Sequence, residues 1–224
     1  GTDMALFKKH FWMNRFDLLV ELAVPAMLWL LLELIVDIAQ SVTGDYVYFG
    51  VPAVVALFGS AIMELFVNGA RMCTNYSMGL AMGRTRRCML GLILGESVTH
   101  MALAAAAVLA LNLVSVGMDR LLGFPARESL FALIPWWVWP VTFLAALAVG
   151  FASGILLLAF GQRGFWAMWG IWMVAFIVPA NTPGLDFAAL PAPLMIAGAA
   201  LAAAVLLGWL VWSVWYALHC PVKL

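Results

Sequence analysis

Residues 194–216 read LMIAGAALAAAVLLGWLVWSVWY, an uninterrupted run without one Asp, Glu, Lys or Arg. A bilayer core of ~30 Å is crossed by about 20 apolar helical residues, so this stretch alone spans it. Working outward, the same pattern recurs towards the N-terminus. It predicts further spans at 18–39, 47–67, 89–116, 131–160 and 165–177. Gly44-Asp45, a polar stretch from Asn68 to Arg87, a loop from Gly117 to Ser129, the turn Gly161-Gln162-Arg163-Gly164 and the Pro- and Gly-rich segment Pro179 to Pro193 separate them. The fold class expected is all-α: a polytopic six-helix transmembrane domain over 18–224, preceded by an interfacial segment over 1–17.

Composition agrees. The chain of 224 residues is 66% hydrophobic and 10% charged, whereas soluble domains carry about 25% charged residues. The six spans use nearly all of it, so any catalytic or ATP-hydrolysing module is expected on another chain. Eleven basic and eleven acidic residues balance to zero, which argues against a nucleic-acid partner, since phosphate binding needs clustered Lys and Arg. The first 17 residues mix Phe7, Lys8, Lys9, Phe11, Trp12, Arg15 and Phe16, a blend suited to the headgroup region and its lipids. No small-residue cleavage site follows a short apolar core, so the first helix is expected to be retained rather than removed as a signal peptide.

Orientation follows from the basic residues. With the N-terminus inside, the cytoplasmic side receives Lys8, Lys9, Arg15, Arg71, Arg84, Arg86, Arg87, Arg163 and Lys223, against Arg120 and Arg127 outside. Both termini are therefore expected to be cytoplasmic, in the cell membrane. Asp45, Asp119, Glu128 and Asp186 fall on the outer side. Cys73, Cys88 and Cys220 fall inside, where thiols stay reduced, and their spacing suits neither a zinc site nor a redox motif.

Aromatic and small residues also recur with period. Trp166, Trp169 and Trp172 form one ladder and Trp209, Trp212 and Trp215 another, while Trp136, Trp137 and Trp139 cluster at the outer side. These read as interfacial belts, or one ladder lines a hydrophobic substrate surface. Ala146, Gly150 and Gly154 repeat every four residues, a stripe that lets helix backbones approach closely, within one chain or at a dimer seam.

Several chemistries lack their residues. The only lysines are Lys8, Lys9 and Lys223, none in the G-x-x-x-x-G-K-[ST] context that cradles phosphates. Ser153-Gly154 approaches an intramembrane serine-protease setting, but Phe151 stands where a glycine is needed. His10, His100 and His219 lie on separate segments, poor material for haem or zinc. Neither enzymatic activity nor a cofactor or metal is expected on this chain. What remains is a set of intramembrane acids. Glu33 and Asp37 share a helix face at i, i+4, as do Glu96 and His100, and Glu64 lies towards the end of the second span. Such groups are costly in lipid and face protein or a wet cavity. Glu33, Glu96 and His100 are the candidates for a translocation path; the alternative is that they staple helices together.

The stretch Ser77-Met78-Gly79-Leu80-Ala81-Met82-Gly83-Arg84-Thr85-Arg86-Arg87 leads straight into the third span. It resembles the small permease subunits of ABC exporters of the second type, in which a short helix ends in Gly-x-Ser/Thr-Arg-Lys/Arg. Phe160-Gly161-Gln162-Arg163-Gly164-Phe165 is similar to a Phe-Gly-basic-basic-Gly turn between their fourth and fifth spans, with Gln162 in place of one basic residue. The resemblance implies two permease chains, identical or paired, with ABC ATPase subunits that hold ATP and Mg docked beneath. It also implies that the first cytoplasmic loop, with Gly79, Gly83, Arg84, Thr85, Arg86 and Arg87, carries a short coupling helix in contact with the ATPase. An ordinary lipid anchor is the competing reading of that loop. The expected function is export of an amphipathic substrate (peptide, lipid or drug-like). The alternatives are a substrate-binding membrane module of another transport complex and a proton-coupled secondary transporter.

Overall fold

The computed structural model describes residues 2–47, 50–128, 130–181 and 190–220. Every regular element among them is helical: α1 (Thr2–Met13), α2 (Arg15–Thr43), α3 (Val51–Ala70), a π-helical turn (Arg71–Asn75), α4 (Tyr76–Ala81), α5 (Arg86–Leu122), α6 (Leu130–Leu133), α7 (Val138–Phe160), α8 (Gln162–Asn181) and α9 (Ala192–His219). Five helical runs are long and apolar enough to cross a membrane: Arg15–Thr43, Val51–Ala81, Arg86–Leu122, Val138–Phe160 and Ala192–His219. The chain is thus read as a multi-pass membrane protein with five candidate spans. The remaining expected span, 165–177, lies within α8, whose 20 residues are not among those five. Its expected apolar stretch is shorter than the ~20 residues a bilayer core takes.

The polarity of α2 argues for lipid around it. Its buried residues are Glu21, Pro25, Trp29, Glu33, Asp37 and Gln40, one stripe recurring at helical spacing. Leu30, Leu31, Leu34, Ile35 and Ile38 are exposed. Polar groups inside and aliphatic side chains outside invert the pattern of a soluble helix. Lipid solvates that outer face, and the polar stripe finds its partners within the protein.

Three boundaries differ from expectation. The stretch Asn68 to Arg87, read from its polarity as a loop, is helical as far as Ala81. Asn68 is fully buried; its amide donates to the Leu147 carbonyl (2.9 Å) and its Oδ1 accepts from Ser97 Oγ (2.9 Å). Polar here means paired across helices rather than exposed. Within the loop expected to carry a short coupling helix, α4 instead continues the run of α3 through the π turn, and α5 begins at Arg86. The fourth expected span, 131–160, is broken between α6 and α7 around Pro135, since the residue before a proline resists the α conformation. At the other end of the chain's proline segment, α8 continues through Pro179 to Asn181, and Asn181 Nδ2 caps the Ile177 carbonyl (2.9 Å). Asp186, expected on the outer side, and Lys223, expected on the cytoplasmic side, lie outside the described residues.

Two compact units divide the chain. The first comprises residues up to Asn68 together with Gly91–Gly150. Its apolar core joins Trp29 of α2, Ala53, Ala56 and Leu57 of α3, Met101, Ala104 and Val108 of α5, Leu130, and Trp139 and Phe143 of α7. A Cβ on Gly150 would meet the Leu65 carbonyl at 2.6 Å, so α3 and α7 touch there backbone to backbone. The second unit comprises Gly69–Leu90 and the chain from Phe151 on. Met72, Tyr76, Leu80, Met89, Ala152, Ile155 and Ala217 are buried in it. A Cβ on Gly154 would lie 2.5 Å from the Gly69 carbonyl and 2.6 Å from Met72 Cβ. The stripe Ala146-Gly150-Gly154 therefore serves packing within the chain. Gly161 (φ 56°) makes the tight turn into α8.

Candidate functional site

In the first unit, α2 and α5 run parallel, and their facing polar residues set the register. Glu21 meets His100, while Trp29 and Glu33 both meet Ser115. Both partners rise along their helices together, as the first and third passes through a membrane must. These contacts belong to two ionic clusters. Glu21 and Glu33 are twelve positions apart, about 18 Å at 1.5 Å per residue.

The first cluster gathers Glu21, Glu96, His100 and His10. His100 Nδ1 lies 2.7 Å from Glu21 Oε2, and its Nε2 lies 3.9 Å from Glu96 Oε1. Glu96 Oε2 is 2.9 Å from His10 Nε2 and accepts from Asn14 Nδ2 at 3.1 Å. Glu96 and His100 are both completely buried, facing protein as their depth requires. The segment expected to lie at the interface supplies this pairing: α1 ends at Met13, and Asn14 turns the chain into α2. The Phe11 ring meets the His100 imidazole edge-on at 5.4 Å, and Phe7 would lie 3.2 Å from a Cβ on Gly95. One face of α1 is thus seated on α5, while Lys8, Lys9 and Trp12 remain exposed.

The second cluster centres on Arg127, from the loop after α5. Its Nε donates to Asp119 Oδ2 (2.8 Å), and its Nη2 donates to Asp119 Oδ1, to Glu33 Oε1 (2.5 Å) and, at 3.5 Å, to Asp37 Oδ1. Glu33 also accepts from Ser115 Oγ (3.1 Å), which itself accepts from Trp29 Nε1 (2.9 Å). Burial works against the Arg127 charge, yet the bonds to Asp119 and Glu33 outweigh it and raise the pKa above the usual arginine value. The three carboxylates each bring an oxygen within 4.8 Å of one another, and the cation they meet is this guanidinium. The geometry therefore separates Glu33 from Glu96 and His100 and assigns it to a different cluster.

The second unit carries the basic turn. Gly83 adopts φ 80°, a left-handed conformation natural to glycine. Its N–H bonds the Leu80 carbonyl (3.0 Å) and the Arg84 N–H bonds that of Gly79 (3.1 Å), closing α4 in the manner of a glycine C-cap. Two residues on, Thr85 Oγ1 accepts from the Cys88 N–H (3.3 Å) and caps the start of α5. Gly83 and Thr85 are thus a helix stop and a helix start. Gly79 lies under Met89, whose side chain would sit 2.4 Å from a Cβ there. Arg84 and Arg87 are exposed, whereas Arg86 is half-buried and donates from Nη2 to the Cys220 carbonyl (2.6 Å).

Residues that sequence reasoning did not select complete all three sites: Glu21 and His10 in the first, Asp119 and Arg127 in the second, Tyr76 beside the third. One signal was available for Glu21, which falls on the same four-residue repeat as Glu33 and Asp37. Comparisons with protein-family models, with curated proteins and with solved structures each returned no match to this chain.

Proposed function

We propose that this chain is the permease subunit of an ATP-driven ABC exporter. It spans the cell membrane six times with both termini cytoplasmic, as a homodimer or a pair of related chains. It moves an amphipathic substrate with energy supplied by a separate ATPase subunit that holds ATP and Mg. The observation that carries the reading is the turn Gly83–Arg87. It is a rigidly capped corner between two long helical runs, with Arg84 and Arg87 exposed on it. In this reading the corner is the cytoplasmic contact for the ATPase. Its arginines meet carboxylates on the partner, and the helices it joins carry the displacement into the membrane. Gly79, Gly83, Thr85 and Arg86 shape the corner rather than touch the partner.

Charge reversal at Arg84 and Arg87, set against a matched reversal at Lys8 and Lys9, tests it. The turn variant should insert and fold yet lose its co-purifying ATPase, because truncating interfacial charge pairs costs about 2–5 kcal/mol. If it keeps both the ATPase and coupled transport, the corner is a lipid anchor.

A second reading is favoured by one observation, the series His10–Glu96–His100–Glu21. Titratable groups at successive short separations inside a bilayer suit a proton-coupled transporter. Glu96→Gln separates the two: proton-driven transport stops if the series carries protons and continues if it only staples α1 and α2 to α5.

A further inference from the structure

Helix α9 is exposed along residues 192–208, and its buried residues are Ser213 and Ala217 near the C-terminal end, followed by Cys220. The last carbonyls of a helix have no partner within it. In α9 the Tyr216 carbonyl accepts from the N–H of Cys220, the C-cap residue (2.7 Å), and the carbonyls of Ala217 and of Cys220 itself are taken by side chains that flank the turn. The buried phenol of Tyr76 donates to the Ala217 carbonyl, and Arg86 Nη2 donates to the Cys220 carbonyl (2.6 Å). A guanidinium is well placed there, since a helix C-terminus carries partial negative charge. Tyr76 is the first residue after the π turn, its N–H still bonded to the Arg71 carbonyl; such single π turns are frequent at functional positions. Arg86 is the first residue of α5. The two donors therefore flank α4 and the basic turn and hold the end of α9 between them.

We propose that Tyr76 and Arg86 are positioning residues that clamp the C-terminal end of α9 to the basic turn, so that a displacement imposed on the turn is delivered to α9. The clamp stands on the two hydrogen bonds; the delivery rests on the permease reading above. It assigns Arg86 a task distinct from that of Arg84 and Arg87, which offer their charges to the partner.

Cys220 reports on the clamp, because its thiol is buried beside the Ala217 carbonyl (3.7 Å). The experiment uses the full chain in nanodiscs with Cys73→Ala and Cys88→Ala, and measures alkylation of Cys220 by N-ethylmaleimide. Arg86→Gln and Tyr76→Phe should each raise the rate roughly tenfold, the effect of losing about one buried hydrogen bond. Arg86→Lys, which keeps a cationic donor, should stay near the parent, and Arg87→Gln should match it. Parent rates in both Arg86→Gln and Tyr76→Phe would overturn the clamp. The second arm uses the ATPase that co-purifies with the chain, comparing ADP with ATP plus vanadate. Nucleotide should change the Cys220 rate in the parent and leave it unchanged in the two clamp variants, with the ATPase still bound. A nucleotide response that persists in those variants overturns the delivery. Absence of any co-purifying ATPase sinks the permease reading and the delivery with it, while the basal rates still judge the clamp.

Discussion

Removing the Arg127 guanidinium isolates the worth of the second ionic cluster. The Arg127 side chain is almost fully buried, 4% exposed, and meets Glu33, Asp37 and Asp119, all buried. Arg127→Gln keeps much of the volume and deletes the charge, leaving three carboxylates within reach of one another and no cation among them. Breaking a buried ion pair by removing one partner costs about 3–5 kcal/mol, because the survivor stays desolvated. For a chain of this length each kcal/mol moves the midpoint by about 2–4 °C, so Arg127→Gln should lower Tm by ~6–20 °C. Thermal unfolding of the purified chain in detergent measures it. The mechanism makes a second demand. Neutral replacements relieve the repulsion among the stranded carboxylates, so Arg127→Gln combined with Glu33→Gln and Asp119→Asn should recover most of the loss. A variant that melts with the parent, or whose deficit ignores the compensating changes, refutes the cluster as a structural tie.

Two further outcomes follow from the packing and the topology. Gly154→Leu, whose Cβ would meet the Gly69 carbonyl at 2.5 Å, should destabilise by about 1–3 kcal/mol through overpacking. The same change at Gly198, where a Cβ meets nothing within 4 Å, should be nearly silent in the same melt. Single cysteines at Leu121 and Arg87, both exposed, should label with a membrane-impermeant maleimide from opposite sides, Leu121→Cys from outside intact cells. Labelling of both from one side would contradict the assigned passes of α5.

Membrane character was legible residue by residue. Runs such as 194–216 exclude charge over a length set by the bilayer, and no tertiary information is needed to see that. The same holds for the close approach at Gly150 and Gly154, since a four-residue repeat of small side chains puts backbone on one helix face. The inward direction of Glu96 and His100 was legible too, because a charged side chain facing lipid is costly. Polarity misled at Asn68 to Ala81. Composition reports that a residue needs a hydrogen-bond partner but not whether water or a neighbouring helix supplies it, and Asn68 finds Leu147 and Ser97.

What only the tertiary structure decided is who pairs with whom. Glu33 and Glu96 look alike along the chain, each an acid one turn before a second polar residue. Glu33 belongs to Arg127, 94 positions away, and Glu96 to His10 and His100. Arg86 sits between two exposed arginines in sequence, yet it alone reaches a carbonyl 134 positions further on. Hydrophobic runs and helix spacing are local quantities, fixed by 1.5 Å and 100° per residue. Ionic partnership depends on the rotation and register of helices that meet across the fold, and a shift of one residue turns a side chain by that same 100° and breaks the pair.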